Sequence, residues 1–214
     1  MSILPQLLDN KGTISSKLGK ALAQDALDGD TAILDEAVFL LGHDDKNVRA
    51  GAAKIIEQVA LKQPGLVRDH LPQLLPALNA PEPQTRWMAI YTLGLCADQD
   101  PAVALQAMPY AQAYLEAGGG ACLWGSTITY LGYAGATSPQ AAQRAYPFLE
   151  QALVDLPRQT KNILAAFLRM LDQADAEMQT RMHQHALAHT ASDRPSVRTI
   201  ARRLERSTRR APGT

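Results

Sequence analysis

Three short stretches of this 214-residue chain hold residues that could do chemistry. The first is HDDKNVR, where His43, Asp44, Asp45, Lys46 and Arg49 fall within seven residues, just ahead of an apolar run. An imidazole beside two carboxylates could hold a metal or relay a proton. The cluster lacks a fourth ligand, and a loop holds ligands poorly. The plainer reading makes Asp44 or Asp45 the cap of a following helix, with Arg49 reaching toward aspartates of its own or a neighbouring turn. The second stretch is MHQHALAHT. His185 and His189 share a helical face at i,i+4, as zinc ligands sometimes do. Position 186 is Ala where the metalloprotease motif needs Glu, and His183 falls on another face. The third is AGGGACLWG, residues 117–125. Glycines before a helix can cradle phosphate, but no Lys-Ser/Thr follows and no strand precedes. These glycines read as a tight turn between helices. With no GxSxG, no HExxH and no paired carboxylates on one helical face with a clear cleft, the sequence points to no catalytic residue, metal or cofactor.

The elements that would position such residues are helical. Ala, Leu and Gln are plentiful, and aromatics make up only 5% of the chain. Leu66, Val67, His70, Leu71, Leu74, Leu75 and Leu78 recur at three- and four-residue steps, the mark of an amphipathic helix. No sustained alternation or Asn-Gly hairpin suggests a strand. First helices are expected at about 31–41, 65–79, 101–116, 138–155 and 175–190. Pro64, Pro81, Pro83, Pro101, Pro139, Pro157 and Pro195 read as helix starts and boundaries, whereas Pro72, Pro76, Pro109 and Pro147 should kink the helices they interrupt.

Second helices repeat along the chain. DKNVRAGAAKIIEQVA, EPQTRWMAIYTLGLCA, PRQTKNILAAFLRMLD and RPSVRTIARRLERS each open on a turn and a basic residue: Arg49, Arg86, Lys161 and Arg198. The spacings are 37, 75 and 37 residues, so a degenerate unit belongs in the middle gap, and GGGACLWGSTITYLGYAGA fills it. Trp87 and Trp124 lie 37 apart; Leu93-Gly94 and Leu131-Gly132 lie 38 apart. A helix, a turn with Asp, then Val-Arg and small residues opening a second helix resembles the HEAT repeat. Asp45, Val48, Arg49 and Ala52 carry the resemblance in the first unit, and Asp193, Val197 and Arg198 in the last. Thr85 and Thr160 depart from it by replacing Val, and Lys161 by replacing Arg.

The resemblance implies an all-α, right-handed α-solenoid of about five HEAT-like helix pairs. Residues 1–29 form an N-terminal segment and capping helix, with the array over 30–208 and a disordered basic tail over 209–214. The pairs fall at about 30–62, 65–98, 101–135, 138–173 and 175–208. Asp45, Arg49, Arg86, Lys161 and Arg198 take structural roles within the repeats. In this architecture second helices commonly line the concave surface, so Trp87, Tyr91, Trp124 and Tyr130 would form a protein-binding strip.

The net charge of zero is unevenly placed. Residues 194–214 hold seven Arg and one Glu, while residues 1–193 hold 14 basic and 20 acidic residues. Arg194, Arg198, Arg202 and Arg206 are four apart and make a stripe that could bind an anion. No stretch is apolar enough for a membrane span, the N-terminus does not read as a secretory signal, and Cys96 and Cys122 read as buried reduced thiols of a cytoplasmic protein. The function expected is a non-catalytic scaffold or adaptor gripping a protein partner. Two alternatives come from relatives of the same architecture. One is a DNA-binding protein or HEAT-like alkylpurine DNA glycosylase, in which Tyr91 stands where an acid would serve. The other is a lyase-type chaperone for pigment attachment. Oligomeric state is not legible at this level.

Overall fold

The computed structural model describes residues 2–10 and 17–210, with the side chain of Arg210 left aside. Every regular element among the described residues is helical. In chain order they are α1 Leu4–Asp9, α2 Lys17–Leu27, α3 Ala32–Leu40, α4 Lys46–Lys62, α5 Leu71–Leu74, α6 Pro83–Leu95, α7 Pro101–Ala104, α8 Met108–Glu116, α9 Gly120–Gly135, α10 Pro139–Asp155, α11 Thr160–Met170, α12 Ala176–His189 and α13 Pro195–Arg210. Short 3-10 turns flank α5, join α7 to α8, precede α11 and follow it. The chain divides into two compact units, residues 1–110 and 111–214. The division falls inside α8, within the stretch 101–135 expected to act as one pair.

In the first unit α4 is the central element. It packs against α1, α2, α3, α6 and the 3-10 turn Pro64–His70. Val48, Ala52, Ile55, Ile56 and Val59 are fully buried along it at helical spacing. Small residues let its neighbours approach closely: a side chain on Gly51 would meet Leu7 of α1 at 2.7 Å. The short helix α1 was not anticipated from the sequence. Its docking rests on Ile3 and Leu7, each 1% exposed, and on Glu36 of α3, which accepts hydrogen bonds from the Ile3 and Leu4 amides and the Ser2 hydroxyl. Within the expected N-terminal segment and capping helix, residues 1–29, lie α1 and α2, and residues 1 and 11–16 lie outside the described residues.

Proline acts differently along the chain. Pro72 and Pro76 break the expected helix 65–79 into 3-10, α and 3-10 segments, and the 101–116 helix is broken by a 3-10 turn just ahead of Pro109. Pro147 sits inside an unbroken α10. Proline removes one backbone bond to the carbonyl four residues back. For Pro147 that residue is Gln143, which is exposed, so solvent can take the missing donor's place.

In the second unit α9 packs against α10 and α11, α11 also packs against α13, and α12 packs against α13. The α8–α9 turn needs glycine: Gly118 and Gly120 have φ of +75° and +81°, the left-handed region that other residues enter at a cost. Gly132 serves a different purpose. A Cβ there would lie 2.8 Å from the Ala166 Cα of α11, closer than atoms pack. The Leu-Gly pair that marked the repeat is therefore, in this unit, a contact point between second helices.

Two expectations need correction. Cys122 is exposed, because it lies in the first turn of α9 away from the packed face, while Cys96 is buried. Arg209 is helical, since α13 runs through Arg210, so the tail cannot begin at 209; residues 211–214 lie outside the described residues.

Gly132→Ala should destabilise the protein even though Ala is favoured over Gly in a helix by roughly 1 kcal/mol. The backbone of α11 must move to admit the methyl group, at a cost of about 1–3 kcal/mol. Thermal unfolding checks it: the melting temperature falls by several degrees, and a rise would contradict the close packing.

Candidate functional site

The HDDKNVR loop is a structural joint. Asp45 caps α4, its carboxylate accepting from the Asn47 amide at 2.6 Å. That bond is the first cause holding the Asp45 carboxyl below its ordinary range. His43 Nδ1 accepts from the Asp45 amide at 3.0 Å. Arg49 Nη1 donates to the carbonyls of His43 and Asp44 at 2.6 and 2.9 Å, and its Nε and Nη2 fork onto Glu82 at 2.9 and 2.6 Å. Glu82, which precedes α6, also accepts from the Thr85 hydroxyl at 2.5 Å. Burial alone would raise the Glu82 pKa, but the bonds from Arg49 and Thr85 outweigh it and hold the carboxyl low. His43, Asp45 and Arg49 are thus spent on joining α4 to the start of α6, while the Asp44 and Lys46 side chains are exposed.

Arg198 repeats part of this arrangement. Its Nη1 donates to the Ser192 carbonyl at 2.6 Å, six residues back, as Arg49 reaches six back to His43. Arg86 is half-buried and Lys161 is exposed.

The three histidines do not converge. His183 Nδ1 pairs with the Thr208 hydroxyl at 2.8 Å, and His185 Nε2 with Glu150 at 2.8 Å. His189 is held below its ordinary pKa by burial first, then by the charges of Arg194 and His185. Among the described residues no group of three or more His, Cys, Asp or Glu is placed to hold a metal ion.

Glu150 of α10 is the hub of a polar cluster that the sequence did not reveal. It accepts from Tyr146 at 2.9 Å, from His185, and from Arg181, whose guanidinium forms an ion pair with it. Phe167 of α11 stacks beside His185 with ring centroids 5.9 Å apart, and beside Tyr146 at 5.3 Å. Burial pushes the Glu150 carboxyl up, but the bonds from His185 and Tyr146 and the Arg181 charge bring it below its ordinary value. The cluster ties α10 to α12 across α11. Only the spacings 146–150 and 181–185 were visible beforehand, and neither alone pairs two distant helices.

Half-buried faces remain on the second helices. On α6 the face is Gln84, Trp87, Tyr91 and Leu95. These half-buried positions keep the repeat spacing: Lys54, Tyr91 and Thr129 are 37 and 38 apart, as are Gln58, Leu95 and Tyr133. Tyr130 does not belong to such a face. It is fully buried, and burial pushes its phenol well above the usual range. It lies six residues past Trp124, about 240° around the helix, so the two rings cannot share one stripe. Tyr133 is the half-buried aromatic there, with the Arg169 guanidinium 4.0 Å above its ring. Trp124 is half-buried, and its indole N–H is enclosed without a hydrogen-bond partner.

The arginine stripe splits in two. Arg194 turns its Nη2 to the Pro157 carbonyl at 2.8 Å and braces the α10–α11 turn. Arg198, Arg202 and Arg206 line an open groove of about 650 Å³ with Arg209, which the sequence assigned to the tail. Leu187 and Thr190 from the α12 end form its other wall, and Glu205, ion-paired with Arg209, lies within it. No helix among the described residues is long and apolar enough to cross a membrane.

No protein-family model matches the chain, and no curated protein matches it by sequence. Solved structures do match in fold. A designed armadillo repeat protein superposes with a TM-score of 0.71 at 15% identity, over 96% of this chain and 99% of that one. Crystal structures of two engineered proteins give TM-scores of 0.69 and 0.66 at 16% and 14% identity, covering 97% and 98% of this chain and 99% and 97% of theirs. The chain is therefore an all-helical repeat protein of the α-solenoid class.

The Glu150 cluster makes a pH-dependent contribution. Its folded carboxyl titrates below the unfolded one, so the stabilisation is complete above the unfolded value and is lost as pH falls through the folded value. Glu150→Gln should cost about 1–2 kcal/mol near neutrality, where Arg181 and His185 lose a charged acceptor. Melting curves of both proteins across pH should converge on acidification; a gap that stays constant would mean the charge plays no part.

Proposed function

We propose that this chain is a non-catalytic interaction scaffold built from HEAT-like repeats, binding a protein partner through the half-buried faces of its second helices. In this reading the pairs are the segments 30–62, 65–98, 101–135, 138–173 and 175–208, preceded by the capping segment 1–29. The observation that carries it is the α6 face. Trp87, Tyr91 and Leu95 follow one another at four-residue steps on a helix whose opposite side, Ala89, Thr92 and Leu93, is already fully buried in the unit. A half-buried aromatic stripe retains apolar surface that a partner can cover, and such residues dominate binding energy at protein interfaces. The fold supplies the frame: repeat solenoids support binding faces while their stability comes from contacts between neighbouring repeats. Thr129 and Tyr133 of α9 extend the same reading to the second unit, whereas Trp124, nine residues before Tyr133 and so about 180° around the helix, lies on another face. The two thiols, both unpaired, fit a reducing, cytoplasmic setting, and burial with the nearby Asp98 charge pushes the Cys96 thiol up to about 12, leaving it unreactive.

The test compares proteins captured by the immobilised wild-type chain with those captured by Trp87→Ala and Tyr91→Ser variants. A captured protein that both variants lose, by about tenfold or more, while their helical circular dichroism and melting stay close to wild type, is the expected result. Variants that unfold would show these residues to be core, and variants that retain all captured proteins would place the interface elsewhere.

A further inference from the structure

We infer that the groove between the α12 end and α13 binds an acidic peptide segment in extended conformation. This deepens the scaffold reading and rests on it, since it assigns a second, chemically distinct contact to the same kind of partner. The Arg202 guanidinium makes no hydrogen bond or ion pair with the side chain or backbone of another described residue. Arg206 uses its Nε on the Arg202 carbonyl, at 3.2 Å, within its own helix. Both side chains are exposed. A guanidinium presents paired N–H donors that match a carboxylate. Along α13 residues four apart rise by about 6 Å, while alternate residues of an extended peptide advance by about 6.6–6.8 Å. Acidic side chains at every second position would therefore meet successive arginines in register. Leu187, 45% exposed on the facing wall, offers an apolar contact between them.

The same features disfavour nucleic acid as the occupant. No aromatic side chain lines the groove to stack a base.

The full chain is titrated into a fluorescein-labelled decapeptide of alternating Glu and Leu, followed by anisotropy at low salt. Saturable binding is expected, weakened by about tenfold or more in Arg202→Glu/Arg206→Glu and also weakened in Leu187→Asp, but unchanged in Trp87→Ala. Arg202→Gln, which removes the charge without reversing it, should weaken binding in the same direction and serves as the readout if the double variant unfolds. Absence of binding by the wild type, or equal binding by the folded charge-reversed protein, overturns the proposal. So does displacement of the peptide by a single-stranded oligonucleotide at lower concentration, which would assign the groove to nucleic acid. Salt-sensitive self-association in sedimentation that the double variant abolishes would assign it to a second copy and equally overturn the proposal. If no peptide binds while a protein captured through Trp87 and Tyr91 is retained, this inference falls and the scaffold reading stands.

Discussion

A second helix in this protein is covered on two sides by other helices of the same layer, and the rest of the structure depends on that cover. In the first unit α4 lies against α2 and α6; in the second α11 lies against α9 and α13. One helix pair presents an apolar stripe too wide to hide by itself. Stacking hides it, but only if the helices approach closely. This explains why the buried positions of α4 are so often Ala, and why Gly132 meets Ala166 with no room for a methyl group. Small residues set the distance between helices, and larger ones such as Ile55, Met88 and Phe167 fill the space that remains.

Apolar stacking does not fix direction well, because it is not directional. Polar braces do. Arg49 holds the α3–α4 turn and the start of α6 with one guanidinium, and Glu150 collects donors from α10 and α12. Each brace sits where two pairs meet or where a turn reverses the chain. Each centres on a part-buried group, Arg49 or Glu150, and removing it leaves several partners without their bond. The residues that first suggested catalysis, His43 and His185 among them, are engaged in this way. Their chemistry is used for orientation.

Most of the helix positions were legible because the apolar spacing and the 37-residue ladder are local properties of the sequence. Expected first helices at 138–155 and 175–190 correspond to α10 and α12 within two residues. What escaped was of three kinds. Helix α1 is too short to show periodicity, and its place is decided by Ile3, Leu7 and Glu36, which pair it with distant residues. Proline broke the helix at Pro72 and Pro76 but not at Pro147, and no local rule distinguishes these positions. The Glu150 cluster joins residues 31 and 35 positions apart, and no local rule selects those partners. Tyr130 is a different case: its angle from Trp124 was calculable from helical geometry, and counting aromatics without tracking the angle assigned it to the wrong face.

Repeat architecture separates stability from recognition. Neighbouring pairs supply the burial, so a second helix can leave one side half covered without unfolding the array. On α6 that side is aromatic, and on α13 it is cationic. The difference is not imposed by packing, since both helices satisfy the same apolar demand on their inner sides, with Met88 and Leu93 in one and Val197 and Leu204 in the other. What packing leaves free is what a partner can read, and here it differs in chemistry from one end of the chain to the other.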